Sequence, residues 1–348
     1  MAVNRKNAES DERGKRPVLF LILLIDILVV AAIIGILLFM LKSAGKEKKK
    51  EVKSSENKKV ETVEEIKYKG KLYKRNKNLF TALIIGVDRE DIEETGDEKF
   101  DNDAGQNDVN LLIVLDKSKK DVKIIPVNRD TMTNVRYYDE DGNLKNTLRR
   151  HLCVAYAYGG GGKRSAESVV HSVSEYLYGI KIDRYCAIDF NAISKANDAV
   201  GGVKLTALED IGDRWKKGQE ITLKGDDAEY YIRYRITETS GGNDLRMKRE
   251  EQYFNAFLQT MSERMKQDIS VPITVFNAIS KDSVTNMSGS EFSRIVSSFQ
   301  KNEITDDNYI HIPGKTVLNK ETEHDEFYSD DAARKDIVIN TFYVPAEN

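Results

Sequence analysis

Four short segments of this 348-residue chain place charge where apolar strands or glycine turns would hold it. In the first, Gly86-Val87-Asp88-Arg89, a carboxylate follows directly on an apolar run. In the second, Asn107-Asp108-Val109, an acid stands just before the next such run. Carboxylates at two neighbouring strand ends could seat Mg2+, which takes one or two of them with phosphate oxygens rather than a full protein cage. An Asp at a strand end also serves as a plain turn former, so neither segment is specific alone. The third, Asn128-Arg129-Asp130-Thr131, follows the run VKIIPV. Its guanidinium can clamp a phosphate bidentately while the acid holds it in place, and the same pair without a ligand is a structural ion pair.

The fourth segment runs Tyr231-Ile232-Arg233-Tyr234-Arg235, a Gly/Ser/Thr loop, then Asp244-Leu245-Arg246-Met247-Lys248-Arg249-Glu250. Helical spacing puts Arg246, Arg249, Glu250 and Tyr253 on one face. Phe254, Phe257, Leu258, Met261 and Met265 fall on the other, which reads as the core stripe. Arg233 and Arg235 stand about 200° apart on an ideal helix, so one ligand meets both only if the chain leaves helical geometry near Tyr234. Four arginines within 17 residues of an acidic region suggest an anion site, suited to a di- or oligophosphate.

The elements that must position these groups alternate along the chain. Residues 81–87, 109–115 and 122–127 are short apolar runs that read as buried strands, the last two as a hairpin with Pro126 near its end. Residues 165–177 show helical spacing and stop at Gly179. Residues 185–190 are strand-like, and Gly201 and Gly202 turn into a strand over 203–206. Residues 226–234 and 244–265 read as helices, and 271–277 as a further strand. This mixture predicts an α/β (α+β) layered domain, a central mixed sheet flanked by helices.

Ahead of it, residues 18–41 form an apolar stretch in which Asp26 is the only charge. A helix of that length covers the roughly 30 Å of bilayer hydrocarbon, and lysines follow it where a cleaved signal would end in small residues. One transmembrane helix is therefore expected, after a tail of residues 1–17. The flanking cations do not choose an orientation: five precede the span and five follow it closely. Residues 42–78 carry 14 Lys and Arg against 6 Asp and Glu and read as a charged linker. Residues 79–348 hold 35 cations and 47 anions. That balance argues against general nucleic-acid binding, which wants a basic face. Two cysteines and four histidines suggest neither a disulfide framework nor a metal-ligand spacing.

Taken in order, a membrane span, a strand ending Gly-Val-Asp88, Asp108 before an apolar strand, Arg129-Asp130-Thr131 and Ala155-Tyr-Ala-Tyr-Gly159-Gly160 carry a resemblance. So do Asp198-Ala-Val-Gly201-Gly202-Val203, Arg233-x-Arg235 and Asp244-x-Arg246-x-x-Arg249. The chain resembles the LytR-CpsA-Psr family of cell-wall polymer ligases, with the motifs inside residues 79–266 and a C-terminal extension over 267–348. The resemblance implies a single-pass protein of the cell membrane whose C-terminal domain is extracellular. It implies a phosphotransferase that moves a polyprenyl-pyrophosphate-linked glycan donor onto a peptidoglycan acceptor. Carried over, Asp88 and Asp108 would hold Mg2+ or Mn2+, and Arg129, Arg233, Arg235, Arg246 and Arg249 would bind pyrophosphate. Asp130 and Asp244 would orient them, which makes Asp130, Arg129, Arg246 and Asp244 the catalytic set. The chain departs from the family pattern at Gln106-Asn107, where Arg-Ser is usual, at Asn128 for Pro, and at Glu250 for Gln. Two rival outcomes are a prenyl-pyrophosphate pyrophosphatase and a non-catalytic lipid-phosphate-binding ectodomain.

Overall fold

The structure, a computed structural model, describes residues 63–90, 92, 101, 103–234, 242–300 and 304–346. The expected tail, the membrane span and residues 42–62 of the linker lie outside the described residues. The rest of the linker departs from expectation. β1 (Glu65–Tyr68) and β2 (Lys71–Arg75) form a hairpin across Lys69 and Gly70, both at positive φ, the geometry of a tight two-residue turn. Its few apolar side chains suffice because Ile66, Tyr68 and Tyr73 pack against the main core, and because β14 (Tyr343–Pro345) pairs with β2.

The central sheet has five strands in the order β11-β8-β3-β4-β5. β3 (Leu79–Val87) lies parallel to β8 (Arg184–Ile188) and antiparallel to β4 (Asn107–Asp116). β4 pairs with β5 (Asp121–Pro126) and β8 with β11 (Ser283–Thr285), both antiparallel. The expected mixed sheet is thus present, with its three apolar runs as neighbours. These runs are continuous rather than alternating because both faces of the strands are covered. Leu83, Ile85, Leu112, Val114 and Ile125 point to one core. There they meet α1 (Val154–Ala157), α2 (Gly162–Tyr176) and α8 (Asp331–Phe342) through Ala155, Val169, Val173, Val338 and Ile339. Ala82, Leu111, Ile113 and Ile124 face the opposite way, toward Leu258 of α5 (Gly242–Met265) and Ile295 and Phe299 of α7 (Gly289–Gln300).

A third core joins β9 (Val203–Thr206) and β10 (Glu220–Leu223) to α3 (Phe190–Ala199), α4 (Asp226–Arg233) and α5. Residues 271–277 contribute to it as helix α6 (Val271–Ala278), which corrects the expected strand. Pro272 sits in the first turn, where a missing N–H costs nothing. Val271 and Val275 are buried one turn apart while Ile273 is exposed, a helical spacing that a strand would not give. Residues 267–348 are integral to the fold: they supply β11 to the sheet and α8 to its first core. Two hairpins complete the domain, β6 (Met132–Tyr138) with β7 (Leu144–His151) and β12 (Gly314–Asn319) with β13 (His324–Ser329).

Candidate functional site

β3 and β4 bring two of the expected acids to one end of the sheet. Their register pairs Gly86 with Val109 and Val87 with Asn107, a bulge that leaves Asp108 as the extra residue. A Cβ on Gly86 would stand 2.9 Å from the Val109 Cβ, so a side chain there would push the strands apart at the bulge. Asn107 is fully buried; its amide donates to Asn110 Oδ1 (2.9 Å) and accepts the Tyr156 N–H (3.0 Å). The Ala-Tyr-Ala-Tyr-Gly-Gly stretch therefore fastens the start of β4 in place. Asp88, just beyond β3, is exposed, and its carboxylate accepts the Gln106 N–H.

After β5 the chain turns at Asn128, whose side-chain oxygen accepts the Asp130 N–H (2.8 Å) and whose carbonyl accepts that of Thr131 (3.1 Å). This Asx turn carries Arg129 to the start of β4. One terminal nitrogen of Arg129 donates to Asp108 Oδ1 and the other to Gln106 Oε1 (2.8 Å), with Nε 3.4 Å from Asp130 Oδ1. Arg246 arrives from α5 and donates to Asp108 Oδ2 (3.1 Å), while its Nε lies 3.2 Å from Glu250 Oε1 one turn along. One carboxylate thus joins two guanidiniums, and Arg246 is only 4% exposed.

Burial pushes the Glu250 carboxyl up to about 7, with Arg246 opposing and Asp108 reinforcing the shift. Burial raises Asp130 too, against the pull of Arg129, His151 and Arg246. With Glu250 neutral, the formal charges of Arg129, Arg246, Asp108 and Asp130 cancel. A phosphate matches the guanidinium fork as a carboxylate does and could take over these N–H donors. Among the described residues no three His, Cys, Asp or Glu side chains form a metal cage. The hard oxygens of Asp88 and Asp108, one exposed and one at the arginines, fit a Mg2+ ion that keeps water and phosphate oxygens as its other ligands.

The structure does not bring every expected arginine to this cluster. Arg249 is 1% exposed, and its terminal nitrogens donate to the carbonyls of Tyr231 and Tyr234. Its Nε lies 2.9 Å from Glu209 Oε1. It caps the C-terminal end of α4, whose last carbonyls have no partner within their own helix. Arg233 pairs with Glu229 and lies 3.8 Å over the Phe190 ring, half-exposed. Arg235 and the side chain of Asp244 lie outside the described residues. Gln106, read from the sequence only as a departure, is the acceptor that fixes Arg129. His151, which bears on Asp130, comes from β7 with its Nε2 3.1 Å from the Asp325 carbonyl oxygen, and no local pattern marks it.

This geometry stands beside a set of likenesses. Among relatives, a protein of Bacillus cereus named polyisoprenyl-teichoic acid–peptidoglycan teichoic acid transferase TagU is 29% identical over 240 residues, covering 67% of this chain and 68% of its own. A TagU of Halalkalibacterium halodurans is 26% identical over 187 residues, 53% of this chain and 54% of its own. A TagV of Bacillus subtilis is 27% identical over 196 residues, 53% and 44%. The chain spans about half the length of these last two relatives. Among solved structures, B. subtilis TagV superposes with a TM-score of 0.56 at 23% identity, over 76% of this chain and 96% of that one. A structure of TagT bound to LI-WTA gives 0.54 at 18%, over 76% and 91%. These two share the fold. The LytR_cpsA_psr family model matches residues 37–338, nearly the whole described domain. The chain belongs to the LytR-CpsA-Psr family.

Proposed function

We propose that this protein is a membrane-anchored phosphotransferase that moves a polyprenyl-pyrophosphate-linked glycopolymer onto a peptidoglycan sugar hydroxyl, with its folded domain outside the cell. The observation that carries the reading is the Asp108 carboxylate shared by Arg129 and Arg246 at one end of the sheet, in a chain of this family. The names of its relatives, teichoic acid transferases acting between a polyisoprenyl carrier and peptidoglycan, support the same chemistry.

Arg129 and Arg246 would grip the pyrophosphate in place of Asp108. Charge-assisted hydrogen bonds of this kind contribute about 1.5–3 kcal/mol each. Asp88 and Asp108 would hold Mg2+ or Mn2+, which supplies charge neutralisation at the phosphate oxygens. The acceptor hydroxyl attacks the phosphorus nearest the sugar, a new P–O bond forms, and the P–O bond to the lipid phosphate breaks. Asp130, raised by burial and beside Arg129, takes the hydroxyl proton, and prenyl monophosphate departs. The prenyl chain would follow the apolar layer between the sheet and helices α5 and α7, where Ile84, Val109 and Phe254 are only partly buried.

The pairing of Glu250 with Arg246 supports turnover over an inert binding pocket, because it keeps the extra carboxylate from facing the anion alone. The test is release of prenyl phosphate from a lipid-linked oligosaccharide, with and without a peptidoglycan acceptor. Acceptor-dependent release is expected. Equal release without acceptor identifies a pyrophosphatase, and no release under any metal condition sinks the enzyme.

A further inference from the structure

We propose that the β12–β13 hairpin of the C-terminal extension is a positioning element of the transfer site, acting through His151 to hold Asp130 where the acceptor hydroxyl loses its proton; this rests on the transfer reading above. The hairpin does little for the interior. No side chain of residues 314–329 belongs to any of the three cores, and β12 is exposed from Gly314 through Leu318. Phe327 folds back on its own partner strand, since a side chain at Gly314 would collide with the Phe327 ring. A ribbon that buries so little is explained by what it touches.

It touches the loop that carries Arg129 and Asp130. β12 occupies one edge of β13, and Asp325 and Phe327, two residues apart, turn their backbone groups to the other. There the Phe327 N–H donates to the Asp130 carbonyl (2.8 Å), and the Asp325 carbonyl accepts from His151 Nε2 (3.1 Å). A carbonyl only accepts, so Nε2 carries the proton in this contact. The His324 ring stands edge-on to the His151 ring, at 6.2 Å and 85°.

Three successive carbonyls of the loop are clamped from outside it. That of Arg129 accepts the Cys153 N–H (3.0 Å), that of Asp130 the Phe327 N–H, and that of Thr131 the Leu152 N–H (2.9 Å). Leu152 and Cys153 directly follow His151 in the chain, and Phe327 is two residues beyond the carbonyl that His151 holds. His151 therefore pins the end of β7 to β13, the two segments that supply the clamps. Burial lifts the Asp130 carboxyl, Arg129 and His151 draw it down, and Asp325 adds to the rise, so both residues of the pin also bear on its charge.

The experiment uses the full chain in nanodiscs. It reads acceptor-dependent release of prenyl phosphate, calorimetric binding of farnesyl pyrophosphate, and amide hydrogen exchange at Phe327. His151→Leu should lower kcat about tenfold, the worth of one net hydrogen bond, with the donor KM and farnesyl pyrophosphate affinity unchanged, and should speed exchange at Phe327. His151→Gln, whose NH2 can stand in for the Nε2 donor, should restore most of the turnover. Phe327→Pro removes the other donor from an edge that β12 does not use, and should reproduce the loss with His151 intact. Wild-type kcat in both His151→Leu and Phe327→Pro overturns the proposal, as does a Gln variant as slow as the Leu variant. A raised KM matched by weaker farnesyl pyrophosphate binding assigns His151 to the donor and overturns it too. Should the Phe327 variant melt early, the two His151 variants carry the reading alone. Should wild type release no prenyl phosphate, the transfer reading falls; the clamp then stands if His151→Leu speeds exchange at Phe327 and falls if the rate is unchanged.

Discussion

Glu250→Gln is the perturbation that asks most of the arginine cluster. Glu250 is held by Arg246 at 3.2 Å, and burial lifts its carboxyl to about 7. Ionised, it takes the cluster of Arg129, Arg246, Asp108, Asp130 and Glu250 from formally neutral to one negative charge. An arriving pyrophosphate therefore favours the neutral form. If only that form binds, the ionised fraction rises from about a tenth at pH 6 to about nine-tenths at pH 8, and affinity falls roughly tenfold, about 1.4 kcal/mol. The variant's amide stays neutral throughout and keeps an oxygen for the Arg246 Nε. The assay is calorimetric binding of farnesyl pyrophosphate from pH 6 to 8 without divalent metal. The ligand's own titration and that of Asp130 are common to both proteins, so the difference between the two slopes isolates Glu250. Wild type should lose about tenfold more affinity over this range than the variant. Parallel slopes would refute the placement of Glu250 at the anion.

The same shift has a stability consequence. The folded carboxyl sits above its usual 4.5, so stability is fully present at pH 4 and is lost as pH rises toward about 7. Urea denaturation at pH 8 should find Glu250→Gln more stable than wild type by up to roughly 3 kcal/mol relative to the comparison at pH 4. Asp88→Asn should abolish metal-dependent turnover while leaving the melting temperature unchanged, because Asp88 is exposed; turnover that persists at saturating EDTA would remove the metal from the scheme. Arg249→Met should destabilise by about 3 kcal/mol, since it strands partly buried Glu209 and the buried α4 carbonyls, and a variant that keeps its stability but loses pyrophosphate binding would return Arg249 to the ligand. Protease added to intact cells should remove the C-terminal domain and spare a tag at Met1; protection of the domain would reverse the topology.

The central strands were legible because burial on both faces leaves its mark in sequence: β3, β4 and β5 are apolar over most of their length, at consecutive rather than alternate positions. Helices α2, α4 and α5 were legible from their spacing. The run over 271–277 misled because a short apolar segment has no decisive period, and only the exposure of Ile273 between buried Val271 and Val275 reveals the helix. β6 and β7 were not legible at all, since the eight residues of β7 include no more than two apolar ones and its stability comes from pairing with β6. The β1–β2 hairpin hid inside a lysine-rich stretch for a similar reason, its partner β14 lying some 270 residues away. Local pattern reports what a segment buries, not which distant strand supplies the other half.

The arginines make the same point at the level of single side chains. Arg246 and Arg249 lie three residues apart on one helix face, and spacing alone gives them one role. Their surroundings divide them. Across from Arg246 stands Asp108, a strand-end carboxylate that a ligand could displace. Across from Arg249 stand the carbonyls at the end of α4, which nothing else in that helix can satisfy. α5 is contacted on three sides, by the cluster at Arg246 and Glu250, by α4 at Arg249 and by the sheet at Leu258, and opens onto a cavity along Met247, Glu251 and Asn255. A helix so enclosed cannot be shifted at one face without disturbing the others. Arg249, by locking α5 to α4, therefore sets the position from which Arg246 meets Asp108, and it contributes to the site through geometry rather than contact.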